Sequence, residues 1–239
     1  MISVKDIEFK YGSELSLNIE NTNAKEVKQG TEYKYLQGFI LKITNLEVKK
    51  GESLAITGVS GSGKSTLLKL LSGELTLQFG SISILGHNLH EMKESELRNF
   101  RLKQLGMIFQ DSPLLEYLSV ADNISMPAEI AGLKDLQDVK ELATNCGIED
   151  LLSRYPSKLS EGEKQRAAIC RALIASPKLV LADEPTSSLD PARGQDITDL
   201  LIKSCRKQNC SLVMVTHDHS LLSKFDRTVD MNELGGENA

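Results

Sequence analysis

The sequence lacks the features that mark several specialised classes of protein. It contains no apolar run of about 18 residues, so we expect no segment that spans a membrane. Lysine and arginine form no basic block and the net charge is −5, so we expect no nucleic-acid partner. The four cysteines show no CxxC spacing, and we expect reduced thiols in the cytoplasm. Met1–Asp6 starts directly as a strand-like segment, so we expect no signal peptide.

The length and composition fit one large α/β domain. The chain has 239 residues, of which 40% are hydrophobic and 26% charged, so it can bury a sizeable core. It shows no internal repeat and no low-complexity segment that would divide it. We therefore expect a single domain over 1–239.

Strand-like and helix-like patterns follow one another along the chain. Strands are expected at 2–9, 14–20, 40–48, 52–57, 81–85, 106–109, 178–182 and 211–215. Helices are expected at 64–72, 94–103, 160–175 and 191–207. A loop or hairpin is expected over 21–38, and 113–157 is expected to be mostly helical with breaks at Pro113, Pro127 and Pro156. This order predicts a mostly parallel, doubly wound sheet with a helical insertion between about 88 and 160.

One glycine-rich segment has the pattern G-x-x-x-x-G-K-[ST] and stands between a predicted strand and a predicted helix. Its residues are Gly58, Val59, Ser60, Gly61, Ser62, Gly63, Lys64, Ser65 and Thr66. Glycines without a Cβ let such a loop curl around phosphate and present backbone N–H groups, and the helix N-terminus favours an anion. We expect Lys64 to reach the β- and γ-phosphates and Ser65 to ligate Mg²⁺. The alternative is a Gly/Ser-rich turn that only caps the helix.

Five further segments follow this loop in a fixed order. They are Gln110 after the strand 106–109, Leu159–Arg166 at a helix start, Leu179–Glu184 on a strand, Ser188–Asp190, and Thr216–Asp218. Together with the loop, they resemble the nucleotide-binding subunit of ATP-binding cassette (ABC) transporters, from about Phe39 to Met231. The resemblance implies a P-loop NTPase core with an N-terminal antiparallel β subdomain, the core lying at 1–87 and 160–239 and the helical insertion at 88–159.

The resemblance also implies roles for single residues, and their chemistry suits those roles. Asp183, at the end of an apolar strand, would hold Mg²⁺ together with Ser65 and Gln110. In the family, the glutamine also links the site to the membrane partner.

The implied catalytic residues are Glu184, His217 and Lys64. Glu184 would orient or deprotonate the attacking water, and His217 would contact the γ-phosphate of ATP. A strand-end carboxylate pair could instead cap a helix or form a salt bridge, and a lone histidine could be a packing residue.

The segment Leu159–Glu163 departs from the family's usual Leu-Ser-Gly-Gly-Gln and has Leu-Ser-Glu-Gly-Glu instead. Ser160 and Gly162, which the family uses to contact the γ-phosphate held by the opposite subunit, are present. Ser160 and Glu163 also have the spacing of a capping box, so this segment is expected to begin a helix. We expect Glu161 to point away from the nucleotide, because a carboxylate would repel triphosphate.

Two tyrosines could stack on the adenine ring. Tyr11 closes a strand that resembles the family's opening strand, but it lies 47 residues before Gly58, which is long for the family. Tyr35 lies 23 residues before Gly58, a more usual spacing. Either 12–34 is an insertion or Tyr35 takes the role; we assign the stacking to Tyr11.

The resemblance implies an ATPase that binds ATP and Mg²⁺, works as a homodimer and drives a membrane permease from the cytoplasmic face of the membrane. The segment Phe109–Ile124 resembles the subgroup that serves lipoprotein release, macrolide export and the related cell-division pair. The main alternative is a soluble ABC ATPase that acts on ribosomes or DNA, although such proteins usually carry two cassettes or a coiled-coil insertion. A GTPase is disfavoured because the sequence has no Asn-Lys-x-Asp segment.

Overall fold

The computed structural model of the chain describes residues 1–11, 39–110, 113–133 and 138–235. The strand expected at 14–20 and the loop expected at 21–38 lie outside these residues. Strands in the described ranges are β1 Ile2–Lys10, β2 Ile40–Val48, β3 Ser53–Thr57, β4 Phe79–Ile84, β5 His87–Asn88, β6 Leu105–Ile108, β7 Leu179–Asp183, β8 Ser211–Val215 and β9 Arg227–Asp230. Helices there are α1 Lys64–Leu71, α2 Glu94–Gln104, α3 Val120–Ile130, α4 Val139–Cys146, α5 Glu161–Leu173, α6 Pro191–Lys207 and α7 Met231–Leu234. None of these helices is long and apolar enough to cross a membrane.

The strands form two sheets of different character. The first is antiparallel, with the order β2-β1-β4-β5, and the second is parallel, with the order β6-β7-β8-β3-β9. All five residues of β3 and of β8 are buried, as expected for parallel strands that are covered on both faces. In β2, buried and exposed residues mostly alternate, because one face of that sheet is open to solvent. The predicted α/β fold with an antiparallel β subdomain is therefore confirmed.

Hydrophobic cores lie on both faces of the parallel sheet. Val180 and Ala182 of β7 belong to one core, whereas Leu179 and Leu181 of the same strand belong to the other. This division follows from the two-residue period of a strand, which turns successive side chains to opposite faces. The sheet is thus packed between two layers, and the loops lie at the ends of its strands.

The expected break at Pro127 is wrong, because this proline lies inside α3. Val120, Ile124 and Ala128 are fully buried at four-residue spacing, so packing against the core holds the helix together through the proline. The proline removes one N–H donor close to the end of the helix, which is a small loss beside that burial.

The strand order places four loops at one edge of the parallel sheet. Because β3, β6, β7 and β8 run parallel, their carboxyl ends share that edge. The residues that follow these ends are Gly58, Phe109, Glu184 and Thr216. The predicted motif segments therefore lie at this edge, directly or a few residues after the strand ends. The exception is the segment that begins α5.

Candidate functional site

The loop between β3 and α1 depends on glycine for its shape. Gly58, Gly61 and Gly63 have φ values of 148°, 80° and 95°, in the region that side chains rarely adopt. A Cβ on Gly63 would lie 2.8 Å from Cζ of Phe39, so the ring packs directly on the loop. A Cβ on Gly61 would meet no atom within 4 Å, so this part of the loop faces open space. The loop is therefore braced on its Gly63 side and open at Gly61, as a phosphate cradle requires.

The side chain of the loop lysine bonds back to the backbone of the loop. Lys64 is only 6% exposed, and its Nζ donates to the carbonyl oxygens of Gly58 and Val59 at 2.8 and 3.0 Å. The Ser62 hydroxyl is buried and has no hydrogen-bond partner among the described residues. A buried hydroxyl without a partner is costly, and a phosphate oxygen would satisfy it. These observations fit a bound triphosphate.

Two side-chain oxygen groups meet beside the loop. The Ser65 hydroxyl donates to Oδ1 of Asp183 at 3.1 Å, which joins the start of α1 to the end of β7. Burial raises the pKa of the Asp183 carboxyl above its usual range, and the neighbouring Glu184 raises it further, against the lowering effect of the Ser65 hydrogen bond. A hydroxyl and a partly buried carboxylate are oxygen donors of the kind that Mg²⁺ prefers. Gln110 is exposed just beyond the end of β6, the strand next to β7.

The carboxylate after Asp183 is held in an unusual backbone conformation. Glu184 has a φ of 43°, and its N–H donates to the Val215 carbonyl oxygen at 3.1 Å. Its Oε2 lies 2.9 Å from Nδ1 of His217, which follows β8. The Glu184 side chain is 20% exposed and that of His217 is 63% exposed, so the pair opens to solvent. Backbone strain at a non-glycine residue of this kind is typical of functional sites.

A cleft of about 380 Å³ opens beside this pair. Glu184 and His217 line one part of it, and the segment from Thr186 to Pro191 lines another. The predicted Ser188–Asp190 segment therefore lies beside Glu184, which it follows closely in the sequence.

The segment that begins α5 forms the predicted capping box. The Glu163 carboxylate accepts hydrogen bonds from the Ser160 N–H at 2.7 Å and the Ser160 hydroxyl at 2.8 Å. Glu161 is turned along the helix toward Lys164, with 2.9 Å between Oε1 and Nζ. A Cβ on Gly162 would meet no atom within 4 Å. The helix N-terminus thus has an ion-paired Glu161 and leaves the surface at Gly162 clear.

The tyrosine at the end of β1 reaches the first turn of α1. Its hydroxyl lies 3.1 Å from the Thr66 hydroxyl oxygen, and its ring meets the edge of Phe9 at a centroid distance of 4.9 Å. Tyr11 is therefore beside the phosphate loop, whereas Tyr35 lies outside the described residues. Phe39, which packs on Gly63, was missed from sequence because it carries no motif of its own.

Comparisons with known proteins agree with this geometry. A family model described as ABC transporter matches residues 41–187. A protein of Staphylococcus epidermidis with the provisional name hemin import ATP-binding protein HrtA is 43% identical over 195 residues, which cover 80% of this chain and 87% of that protein. The lipoprotein-releasing system ATP-binding protein LolD of Shewanella denitrificans is 41% identical over 197 residues, which cover 81% of this chain and 84% of that protein.

A solved structure gives the same result. The dimeric structure of MJ0796, a bacterial ABC transporter cassette, superposes with a TM-score of 0.76 at 27% identity and covers 96% of this chain and 94% of that chain. The match extends well beyond the family model in both directions.

Proposed function

The chain belongs to the ABC transporter family, and from that premise we propose that this ATPase drives a separate membrane permease by closing into a dimer around ATP. The observation that carries the proposal is the edge of the parallel sheet, where a braced phosphate loop, the Ser65–Asp183 contact and the Glu184–His217 pair stand together.

In this proposal, the phosphate loop binds and orients the triphosphate. Lys64 exchanges the carbonyl oxygens of Gly58 and Val59 for the β- and γ-phosphate oxygens, which carry full charge and attract it more strongly. Ser62 gains the partner that its buried hydroxyl lacks. The exposed residues Val59 and Ser60 lie at the open rim of the loop.

Ser65 and Asp183 would hold Mg²⁺, with Gln110, just after β6, as a further oxygen ligand. The ion supplies charge neutralisation between the phosphate oxygens when it is bound. Asp183 prepares the site because its carboxylate is already oriented by Ser65 and partly removed from water.

Glu184 acts on the attacking water, and His217 positions the Glu184 carboxylate. The carboxylate can accept a proton from the water, while the bond to His217 Nδ1 fixes the direction of its second oxygen. The left-handed backbone at Glu184 aims this side chain away from the strand axis and toward the open cleft.

A second copy of the chain completes the site. Ser160 and Gly162 of one copy would face the γ-phosphate held by the phosphate loop of the other, at the N-terminus of α5, where N–H groups and the helix dipole favour an anion. The dimeric form of MJ0796, and its post-hydrolysis dimer bound to ADP and Pi, support this arrangement.

We infer that the permease belongs to the export or lipoprotein-release type and that the chain is peripheral on the cytoplasmic face of the membrane. The name of LolD supports this subgroup, while the provisional name of HrtA refers to hemin import. The names thus point to different cargoes, which suits a subunit whose cargo is selected by its permease.

Purification from detergent extracts tests the proposal. We expect an affinity-tagged chain to bring down an integral membrane protein in stoichiometric amount, and this protein to raise the ATPase activity of the chain. The Lys64→Ala variant is the control for nucleotide dependence. Recovery of ribosomes or DNA in place of a membrane protein would contradict transport and favour the soluble alternative.

The position of Tyr11 predicts an effect on ATP affinity. Tyr11→Ala should raise the Kd for ATP roughly 5- to 150-fold, because base–aromatic stacking contributes about 1–3 kcal/mol. Tyr11→Phe keeps the ring and loses the hydroxyl group that contacts Thr66, so it should bind ATP nearly as the parent does. Titration of each variant, and of Tyr35→Ala, with ATP in a calorimeter measures these values. A large loss in Tyr35→Ala alone would transfer the role to Tyr35.

A further inference from the structure

The first turn of α5 carries two carboxylates, Glu161 and Glu163, where the family usually has glycine and glutamine. In the proposed dimer, this turn faces the γ-phosphate held by the other copy. A free negative charge on the turn would repel the triphosphate and oppose closure of the dimer. Each carboxylate therefore needs a partner on its own chain.

Glu163 has its partners in the helix cap. Its carboxylate accepts hydrogen bonds from the Ser160 N–H at 2.7 Å and from the Ser160 hydroxyl at 2.8 Å. These bonds hold the pKa of Glu163 below its usual range, with a further contribution from Arg154 and against the raising effect of burial. The Glu163 side chain is thus turned back toward the helix start, where its charge stabilises the cap.

Glu161 has its partner one turn along the helix. Its Oε1 lies 2.9 Å from Nζ of Lys164, three residues further on and on the same face of α5. The Glu161 side chain is 60% exposed, whereas that of Lys164 is 27% exposed. The carboxylate therefore lies at the surface that a second copy would cover, and the ammonium group that neutralises it is packed more closely against the chain.

The importance of this ion pair depends on whether the surface is covered. In the single chain, an exposed pair of this kind contributes little to stability, because water screens both charges. When a second copy displaces that water, the attraction within the pair becomes stronger. The repulsion between an unpaired carboxylate and a nearby triphosphate becomes stronger as well. The pair therefore acts mainly in the dimer, which is the state that ATP stabilises.

We propose that Lys164 is a positioning residue that holds the Glu161 carboxylate along α5 and neutralises it, so that the start of α5 can approach the triphosphate of a second copy. The inference rests on the proposed function, because that function places the start of α5 against the other copy's nucleotide. The glycine usual at position 161 in the family would need no such cation. Loss of the Lys164 charge should therefore weaken dimerisation only while Glu161 is present.

The test is a double-mutant cycle in a Glu184→Gln background, with MgATP as the probe. Lys164→Met removes the charge and keeps a similar stem, while Lys164→Arg keeps the charge. Glu161→Gln removes the carboxylate, and Glu161→Gln/Lys164→Met removes both charges. Analytical ultracentrifugation gives the MgATP concentration at half-maximal dimerisation, and calorimetry at low protein concentration gives the Kd of the single chain for ATP.

Lys140→Met is the matched control. Lys140 also lies in the first turn of a helix, α4, and its Nζ lies 3.2 Å from a carboxylate oxygen of Glu149. The variant makes the same chemical change and breaks a comparable surface pair away from the start of α5. It should dimerise as the parent does.

Lys164→Met should need about tenfold more MgATP to dimerise, because it leaves a carboxylate opposite a triphosphate. Its Kd for ATP as a single chain should stay within about twofold of the parent, because the ion pair meets only the nucleotide of the other copy. Added KCl should narrow the difference in dimerisation, since salt screens the repulsion. Lys164→Arg and Glu161→Gln/Lys164→Met should both dimerise near the parental MgATP concentration.

The double variant separates this role from a structural one. If the pair only stabilised the helix, Glu161→Gln/Lys164→Met would lack the same bond as Lys164→Met and would dimerise as poorly. If Lys164→Met does not fold, Lys164→Gln removes the charge with a polar side chain and should show the same dependence on Glu161.

Three results would overturn the inference. They are dimerisation of Lys164→Met at parental MgATP, a double variant as weak as Lys164→Met, and an equal loss in Lys140→Met. A parent that never dimerises with MgATP would instead remove the proposed function, and the inference with it, so the two failures are distinguishable.

Discussion

Replacement of Glu184 by glutamine is expected to lower kcat for ATP hydrolysis by about 10²- to 10⁴-fold, the usual contribution of a positioned general base. Glutamine has nearly the same shape as glutamate but cannot accept a proton from water. It can still bond to His217, whose Nδ1 lies 2.9 Å from the carboxylate in the parent, so the site should keep its geometry. Steady-state release of phosphate at saturating MgATP measures the effect.

The same variant should accumulate as an ATP-bound dimer, because the step that separates the subunits is removed. Size-exclusion chromatography with light scattering should show a dimer with MgATP and a monomer without it. Glu129→Gln is the matched control, since it makes the same chemical change on the exposed side of α3. If Glu184→Gln hydrolyses ATP at the parental rate, Glu184 is not the catalytic carboxylate and another group must activate the water.

Patterns of local periodicity were enough to predict much of the fold. The strands at 40–48 and 211–215 and the helix at 191–207 have the predicted bounds. The helix combines a helical period with a clear start signal, because Asp190 caps it and Pro191 fills its first position. Such signals act within a few residues and need no tertiary contact.

The elements that the sequence did not reveal depend on distant contacts. β9 has only four residues, and it exists because it pairs with β3, about 170 residues earlier in the chain. The helix that follows it, α7, is also four residues long and packs Met231 and Leu234 into the core. Neither is long enough to show a period, so no window of the sequence could have predicted them.

The site shows the same division between motif and geometry. Its residue types and their order along the chain could be read directly, since each motif is short and local. The φ of 43° at Glu184 could not, because a non-glycine residue adopts it only when surrounding contacts, such as its bond to Val215, impose it. The hydrogen bonds from the Gln165 and Arg171 side chains to the carbonyl oxygens of Gln110 and Pro113 could not be predicted either, because no side-chain motif marks a backbone carbonyl group.

Replacement of Asp183 by asparagine is expected to have opposite effects on stability and on activity. In the folded chain, burial raises the pKa of this carboxyl above its unfolded value, so at neutral pH the ionised group opposes folding in the absence of a cation. Asparagine has no charge to bury and can still accept the hydrogen bond from Ser65. The melting temperature of the variant without nucleotide should therefore exceed that of the parent at pH 7.

The sign of the pH dependence follows from the same shift. Below the pKa that the carboxyl has in the unfolded chain, it is protonated in both the folded and the unfolded state. Its charge then no longer lowers the stability of the parent. The difference in melting temperature between Asp183→Asn and the parent should therefore shrink as the pH falls from 7 toward 4, and scanning calorimetry across this range measures it. Asp196→Asn, an exposed residue on α6, should show no such trend. A parent more stable than Asp183→Asn at pH 7 would contradict the argument.

Activity should change in the other direction, because the charge that opposes folding is the charge that holds the metal. Without it, the ATPase rate should fall by about a hundredfold or more, since a bound metal ion contributes several kcal/mol to the stabilisation of transition-state charge. The parent should gain more thermal stability from MgATP than the variant does, while ATP with EDTA should stabilise both alike. Equal stabilisation of the two chains by MgATP would show that Asp183 does not bind the ion.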